Sequence, residues 1–129
     1  LVNKMPFYAF TFMIFILASL GLPGTSGFVG EFLVLLSVFT VNTYFALFAT
    51  TGVVLAATYS LWLYRKVIFG ALVKDDLVDM LDLTRREIII FVPLIFLTFF
   101  LGIYPKPVID IIEPSTKLVV ENFNERLQK

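Results

Sequence analysis

The chain has no cysteine and no histidine. Disulfides, thiolate clusters, histidine-ligated haem and most zinc sites are therefore excluded, because each needs one of those side chains. Any chemistry must use carboxylates, lysines, hydroxyls and backbone. Charge is also scarce, and most of it lies in the second half. Formal net charge is zero, with 10 basic and 10 acidic residues, so nothing suggests a nucleic-acid partner. No basic leader with a small-residue cleavage site is apparent at the N-terminus. The start at Leu1 rather than Met reads as the C-terminal part of something longer.

What is present is apolar. Hydrophobic residues make up 59% and mean hydropathy is +0.93, above the roughly 45–50% apolar usage of soluble domains. Fifteen phenylalanines fit a lipid-facing surface. Glu31 is the only formal charge between Lys4 and Arg65. Holding a carboxylate at bilayer depth costs roughly 2.5–3.5 kcal/mol on insertion scales, so the default use of one is moving ions or protons.

Gly21-Leu22-Pro23-Gly24-Thr25-Ser26-Gly27 precedes that carboxylate. Pro23 removes a backbone donor and Leu22 before it is pushed from the α region. Gly21, Gly24 and Gly27 accept angles that other residues resist, and Thr25 or Ser26 can cap a restarted helix. A span needs about 20 apolar residues. Residues 6–40 are too long for one straight span, so the expectation is one discontinuous helix, Pro6–Leu20 then Gly27–Thr40. A second span is expected over 44–66, ending in Trp62 and Tyr64 with Arg65 and Lys66 as interface anchors. Residues 67–84 read as a connecting loop or short interfacial helix, its acidic run Asp75–Asp82 a solvated surface. Thr84-Arg85-Arg86-Glu87 is a T-x-x-E capping box opening a third span over 85–104. The tail 114–129 reads as an amphipathic helix capped by Ser115 or Thr116, with Val119, Phe123 and Leu127 on one face. The fold class expected is all-α membrane protein with three spans. Basic residues place 67–84 on the cytoplasmic or matrix side.

Glu31 falls about one turn into the second half-helix. That helix's positive end favours the ionised carboxylate, weakly at this distance, while removal from water disfavours it. No lysine lies within the spans, so an intramembrane partner would come from outside this chain. The alternative is a structural carboxylate reaching water at a helix end. Gly27 and Gly30 could equally be helix-contact notches. Thr50, Thr51, Thr58, Tyr59 and Ser60 could carry a proton path, or bond their own backbone.

Two stretches carry a resemblance. Met5-Pro6-Phe7-Tyr8-Ala9-Phe10 and Leu20-Gly21-Leu22-Pro23-Gly24-Thr25-Ser26-Gly27-Phe28-Val29-Gly30-Glu31-Phe32 closely resemble the proton-pumping, antiporter-like membrane subunits of respiratory complex I, NADH:quinone oxidoreductase (chain M in bacteria, chain 4 in mitochondria). Leu61-Trp62-Leu63-Tyr64-Arg65 and Asp82-Leu83-Thr84-Arg85-Arg86-Glu87 also look like that family. The resemblance implies the last part of a fourteen-span fold with inverted repeats, Glu31 as terminal ionisable residue of a proton half-channel, and a bacterial or mitochondrial inner-membrane location. It implies no cofactor in this chain, with FMN, iron–sulfur clusters and quinone in other subunits. It implies as partners the lipid bilayer, the other membrane-arm subunits, neighbouring antiporter-like chains and the missing N-terminal spans. The rival readings are a multisubunit cation/proton antiporter or membrane-bound hydrogenase subunit, and a non-transporting membrane scaffold.

Overall fold

The computed structural model describes residues 2–70 and 81–127. Among these described residues are five helices in chain order: α1 Pro6–Ser19, α2 Ser26–Val41, α3 Thr43–Ile68, α4 Arg85–Ile103 and α5 Lys106–Leu127. Lys74 and, of the acidic run, Asp75, Asp76 and Asp79 lie outside the described residues, as does the side chain of Leu127.

α1 opens with Pro6 in its first turn, where the missing N–H is no loss. It closes in a Schellman turn. The Leu22 N–H donates to the Leu17 carbonyl (3.1 Å) and the Gly21 N–H to the Ala18 carbonyl (3.2 Å). Gly21 takes the left-handed conformation that this turn requires, with φ 67°. Pro23 follows at once and prevents the helix from resuming. Gly24, at φ 93°, makes the second reversal. Thr25 stands at the N-cap position of α2 in an extended conformation but does not cap it. Its hydroxyl donates instead to the Leu22 carbonyl at 2.7 Å, and the residue is 1% exposed. Neither Thr25 nor Ser26 caps α2 by its side chain: tying up the Leu22 carbonyl within the gap took precedence over the first N–H groups of α2.

α3 starts immediately after α2 because Asn42 reverses the chain. Its side-chain oxygen accepts from the Tyr44 N–H at 2.9 Å. At its end Lys66 lies 4.8 Å above the Trp62 ring, and both Arg65 and Lys66 stand in the last turn, where cations suit the helix dipole. α4 opens on the capping box: the Thr84 N–H and hydroxyl both donate to Glu87 Oε2 (2.6 and 2.8 Å). α4 then passes through Pro93 without breaking.

The tail helix begins eight residues before Pro114, at Lys106, correcting the expected start. Pro105 supplies the first carbonyl, accepting from Val108 and Ile109 (both 3.1 Å). Pro107 occupies the first turn, where its ring is tolerated. Pro114 lies inside the helix. Thr116 is not a cap either, for its hydroxyl donates to the Ile112 carbonyl at 3.0 Å. Val119 and Phe123 are exposed.

α3 lies against both halves of the interrupted helix. Near one end the Val2 N–H donates to the Ile68 carbonyl (3.2 Å) and the Tyr64 hydroxyl to the Ala9 carbonyl (3.3 Å). Further along, Ala49 to Ala56 of α3 face Gly30 to Leu35 of α2. The half-helices therefore succeed one another along α3. At about 1.5 Å per residue, α1 and α2 rise about 21 and 24 Å, each short of a bilayer core of about 30 Å. α3 and α4 are each long and apolar enough to cross alone. The small core joins α1 to α3 through Ala9, Ile16, Tyr64 and Ile68, with Tyr8, Phe12 and Met13 packed on it. Large apolar side chains such as Phe10, Phe39, Phe48, Ile90 and Phe96 stay exposed, a surface that suits lipid or protein rather than water.

Asp82, expected on a solvated surface, has a structural job. Its carboxylate accepts from the backbone N–H groups of Phe7 (3.0 Å), Tyr8 (3.1 Å) and Leu83 (2.8 Å). α1 has no side-chain cap from Met5, so Asp82 satisfies two of its orphan donors from a distant part of the chain. Burial pushes this carboxyl up, but the N–H groups of Phe7, Leu83 and Tyr8 outweigh it and hold it below its ordinary value of 3.8. A lowered folded value means the tie is complete above the ordinary value and is lost as pH falls through the lowered one. Amide exchange at Phe7 and Tyr8, corrected for intrinsic rate, should stay slow at neutral pH and speed up below the ordinary carboxylate range. Unchanged protection in strong acid would show that the carboxylate does not hold α1.

Candidate functional site

Glu31 occupies the sixth position of α2, where a helical side chain leans back toward the N-terminus. Its carboxylate lies against the gap. A Cβ added to Gly21 would contact Glu31 Oε2, stand 3.1 Å from Glu31 Cδ and lie 3.6 Å from the Phe28 Cα. Gly21 is needed for its left-handed turn, and its bare Cα leaves the space that the carboxylate occupies.

On its other side Glu31 lines a groove of about 460 Å³ between α2 and α3. Gly30, Val34, Ala49, Gly52 and Ala56 form much of the wall, and small side chains on α3 make the room. Glu31 is the one charged residue in that lining among the described residues. The groove exceeds the roughly 30 Å³ share of one water, and Glu31 is the polar side chain in its otherwise apolar lining. Among the described residues no protein group hydrogen-bonds the Glu31 carboxylate.

The glycines of the break have separate roles. Gly27 permits the first turn of α2 to meet the last turn of α1, because a Cβ there would strike the Ala18 carbonyl. Gly30 is not a contact notch among the described residues: a Cβ there meets nothing within 4 Å, and the residue lines the groove instead.

Thr58, Tyr59 and Ser60 separate in space. The Thr58 hydroxyl donates to the Val54 carbonyl at 2.8 Å on an exposed face, and Tyr59 is 63% exposed. Ser60 is 5% exposed and falls one turn from Ala56 of the groove wall, between it and Tyr64. Thr50 and Thr51 bond carbonyls of their own helix, Ala46 at 2.8 Å and Phe48 at 2.6 Å. The geometry brings Gly21, Phe28 and Glu31 together and leaves Thr58 and Tyr59 apart.

Sequence reasoning missed two residues. One is Asp82. The other is Gly102 on α4, where a Cβ would run into the Gly24 carbonyl and the Thr25 backbone. α4 thus presses its bare backbone onto the gap at the level where the chain reverses. The available signal was a single glycine in an otherwise bulky apolar run, Phe99-Phe100-Leu101-Gly102-Ile103-Tyr104, which usually has a packing reason.

The fold is that of an apolar helical chain with an interrupted helix and one carboxylate beside the break. Residues 1–56 match the family described as NADH:quinone oxidoreductase/Mrp antiporter, transmembrane. It is 58% identical over 127 residues to NADH-quinone oxidoreductase subunit M of Rhodobacter capsulatus, covering 98% of this chain and 25% of the relative. It is 42% identical over 122 residues to NADH-ubiquinone oxidoreductase chain 4 of Arabidopsis thaliana (95% of this chain, 25% of the relative). With chain 4 of Marchantia polymorpha it shares 40% over 122 residues, at the same coverage of 95% and 25%. The chain spans about a quarter of the length of the curated relatives it matches.

Gly102→Ala inserts a methyl group against backbone that cannot step aside. Overpacking of this kind costs about 1–3 kcal/mol, so the variant should lower the thermal stability of the assembled protein. Wild-type stability in Gly102→Ala would show that α4 does not bear on the gap.

Proposed function

We propose that this chain is part of the proton-translocating membrane machinery of NADH:quinone oxidoreductase, and that Glu31 is its protonatable site. The observation that carries the reading is the placement of the only charge in the apolar stretch: its carboxylate lies at the helix gap and lines a groove with room for water.

The physical logic is local. An unbroken helix would satisfy its backbone internally and leave a carboxylate beside it among apolar groups. The gap exposes backbone dipoles at depth, which is tolerated where they meet protein or a wet cavity. The first N–H groups of α2 lack a side-chain cap, so their positive end stays available to a nearby anion. Charge movement elsewhere in the membrane arm then drives the proton on or off Glu31, toward one face.

Electron transfer from NADH to quinone belongs, in this proposal, to other subunits that hold FMN and iron–sulfur clusters. The partners are the remaining spans of the subunit, neighbouring antiporter-like chains and lipid. The membrane is the bacterial or mitochondrial inner membrane, since the relatives include both bacterial subunits M and plant chains 4. The connection 67–84 faces the cytoplasm or matrix, on the count of basic residues. The family description also names Mrp antiporters, and the companion chains in a preparation distinguish that setting from a complex with flavin and quinone subunits.

Glu31→Gln keeps size and hydrogen bonding but removes titration. In the intact complex it should lower protons moved per NADH oxidised severalfold, with uncoupled NADH oxidation retained. A normal ratio would refute the proton-site assignment and leave Glu31 a packing residue.

A further inference from the structure

Asp82 and α4 together meet α1 and the gap at three levels. Asp82, three residues ahead of α4, binds the N–H groups of Phe7 and Tyr8 across 75 and 74 residues of sequence. Phe91 packs on Phe15 with ring centres 6.1 Å apart. Gly102 meets the Gly24–Thr25 backbone at the gap. The middle contact is aromatic packing and the far one a close approach of backbones; of the three, the Asp82 contact is the hydrogen-bonded one, made to the first turn of α1 itself. Its carboxylate is itself fixed, because Oδ1 also accepts from the Leu83 N–H and α4 starts just beyond under its own capping box.

We propose that Asp82 is a positioning residue for Glu31. By capping α1 from the connection that leads into α4, it sets α1 at one height against α4. The height of α1 determines where its Schellman turn ends, hence where Gly21 meets the Glu31 carboxylate. Asp82 is thereby linked mechanically to the ionisable site, although it touches none of its atoms. The inference rests on the reading of Glu31 as the proton site.

The test uses the intact complex with Asp82→Ala and Asp82→Asn, beside Glu31→Gln. Two quantities are read: exchange protection of the Phe7 and Tyr8 amides, and protons translocated per NADH. Asp82→Ala should speed exchange at both amides by roughly fivefold, the usual scale of a lost cap, and should lower the proton ratio while uncoupled NADH oxidation persists. Asp82→Asn keeps an acceptor oxygen and should recover part of both. If Asp82→Ala does not assemble, Asp82→Asn gives the same two readings at smaller amplitude. Unchanged protection overturns the inference. So does lost protection with an unchanged proton ratio, provided Glu31→Gln impairs that ratio. If Glu31→Gln leaves the ratio normal, the reading of Glu31 falls instead, and the protection data alone decide whether Asp82 caps α1.

Discussion

Everything in this chain depends on how an interrupted membrane helix satisfies its own backbone. Inside a bilayer an unpaired N–H or carbonyl costs several kcal/mol. The gap answers that cost from within. Gly21 and Leu22 return their N–H groups to the end of α1, and the Thr25 N–H and hydroxyl both go to the Leu22 carbonyl. The carbonyl side of the break is thus served by the chain itself. The N–H side is not served by any side-chain cap, and that asymmetry is what leaves a positive end near Glu31.

Proline alone does not explain the interruption. Pro93 lies within α4, and that helix continues. The difference at Pro23 is the pair of flanking glycines at positive φ, which give the chain two places to reverse. Packing then makes the interruption permanent: α4 meets it with Gly102, α1 meets α2 through Gly27, and the carboxylate takes the space beside Gly21. Adding a side chain at any of these three glycines would place it against backbone or against the carboxylate. Backbone shape, inter-helix packing and the ionisable site are one constraint seen at three scales.

The parts legible in the sequence were those written locally. Glycines around Pro23 announce a break, an isolated carboxylate announces itself, and Thr84 with Glu87 spells a helix start within four residues. What was hidden depends on distant partners. Asp82 looks like one more acid in a polar loop until α1 arrives with two uncapped N–H groups. Gly102 carries no message until the Gly24 carbonyl lies against it. Pro114 looks like a helix boundary because proline usually is one, but Pro105 and Pro107 already offer a better start upstream. Thr25 reads as a forward cap of α2 and bonds backward instead, its N–H and hydroxyl both donating to the Leu22 carbonyl inside the gap.

The central claim is that Glu31 gains and loses a proton as the machinery turns over. Infrared difference spectroscopy of the intact complex, with NADH as trigger, reads carboxyl protonation directly. A carboxyl C=O band should appear or vanish on NADH addition, shift with isotope-labelled glutamate, and be missing from the Glu31→Gln variant. A difference spectrum identical in wild type and variant would contradict the account.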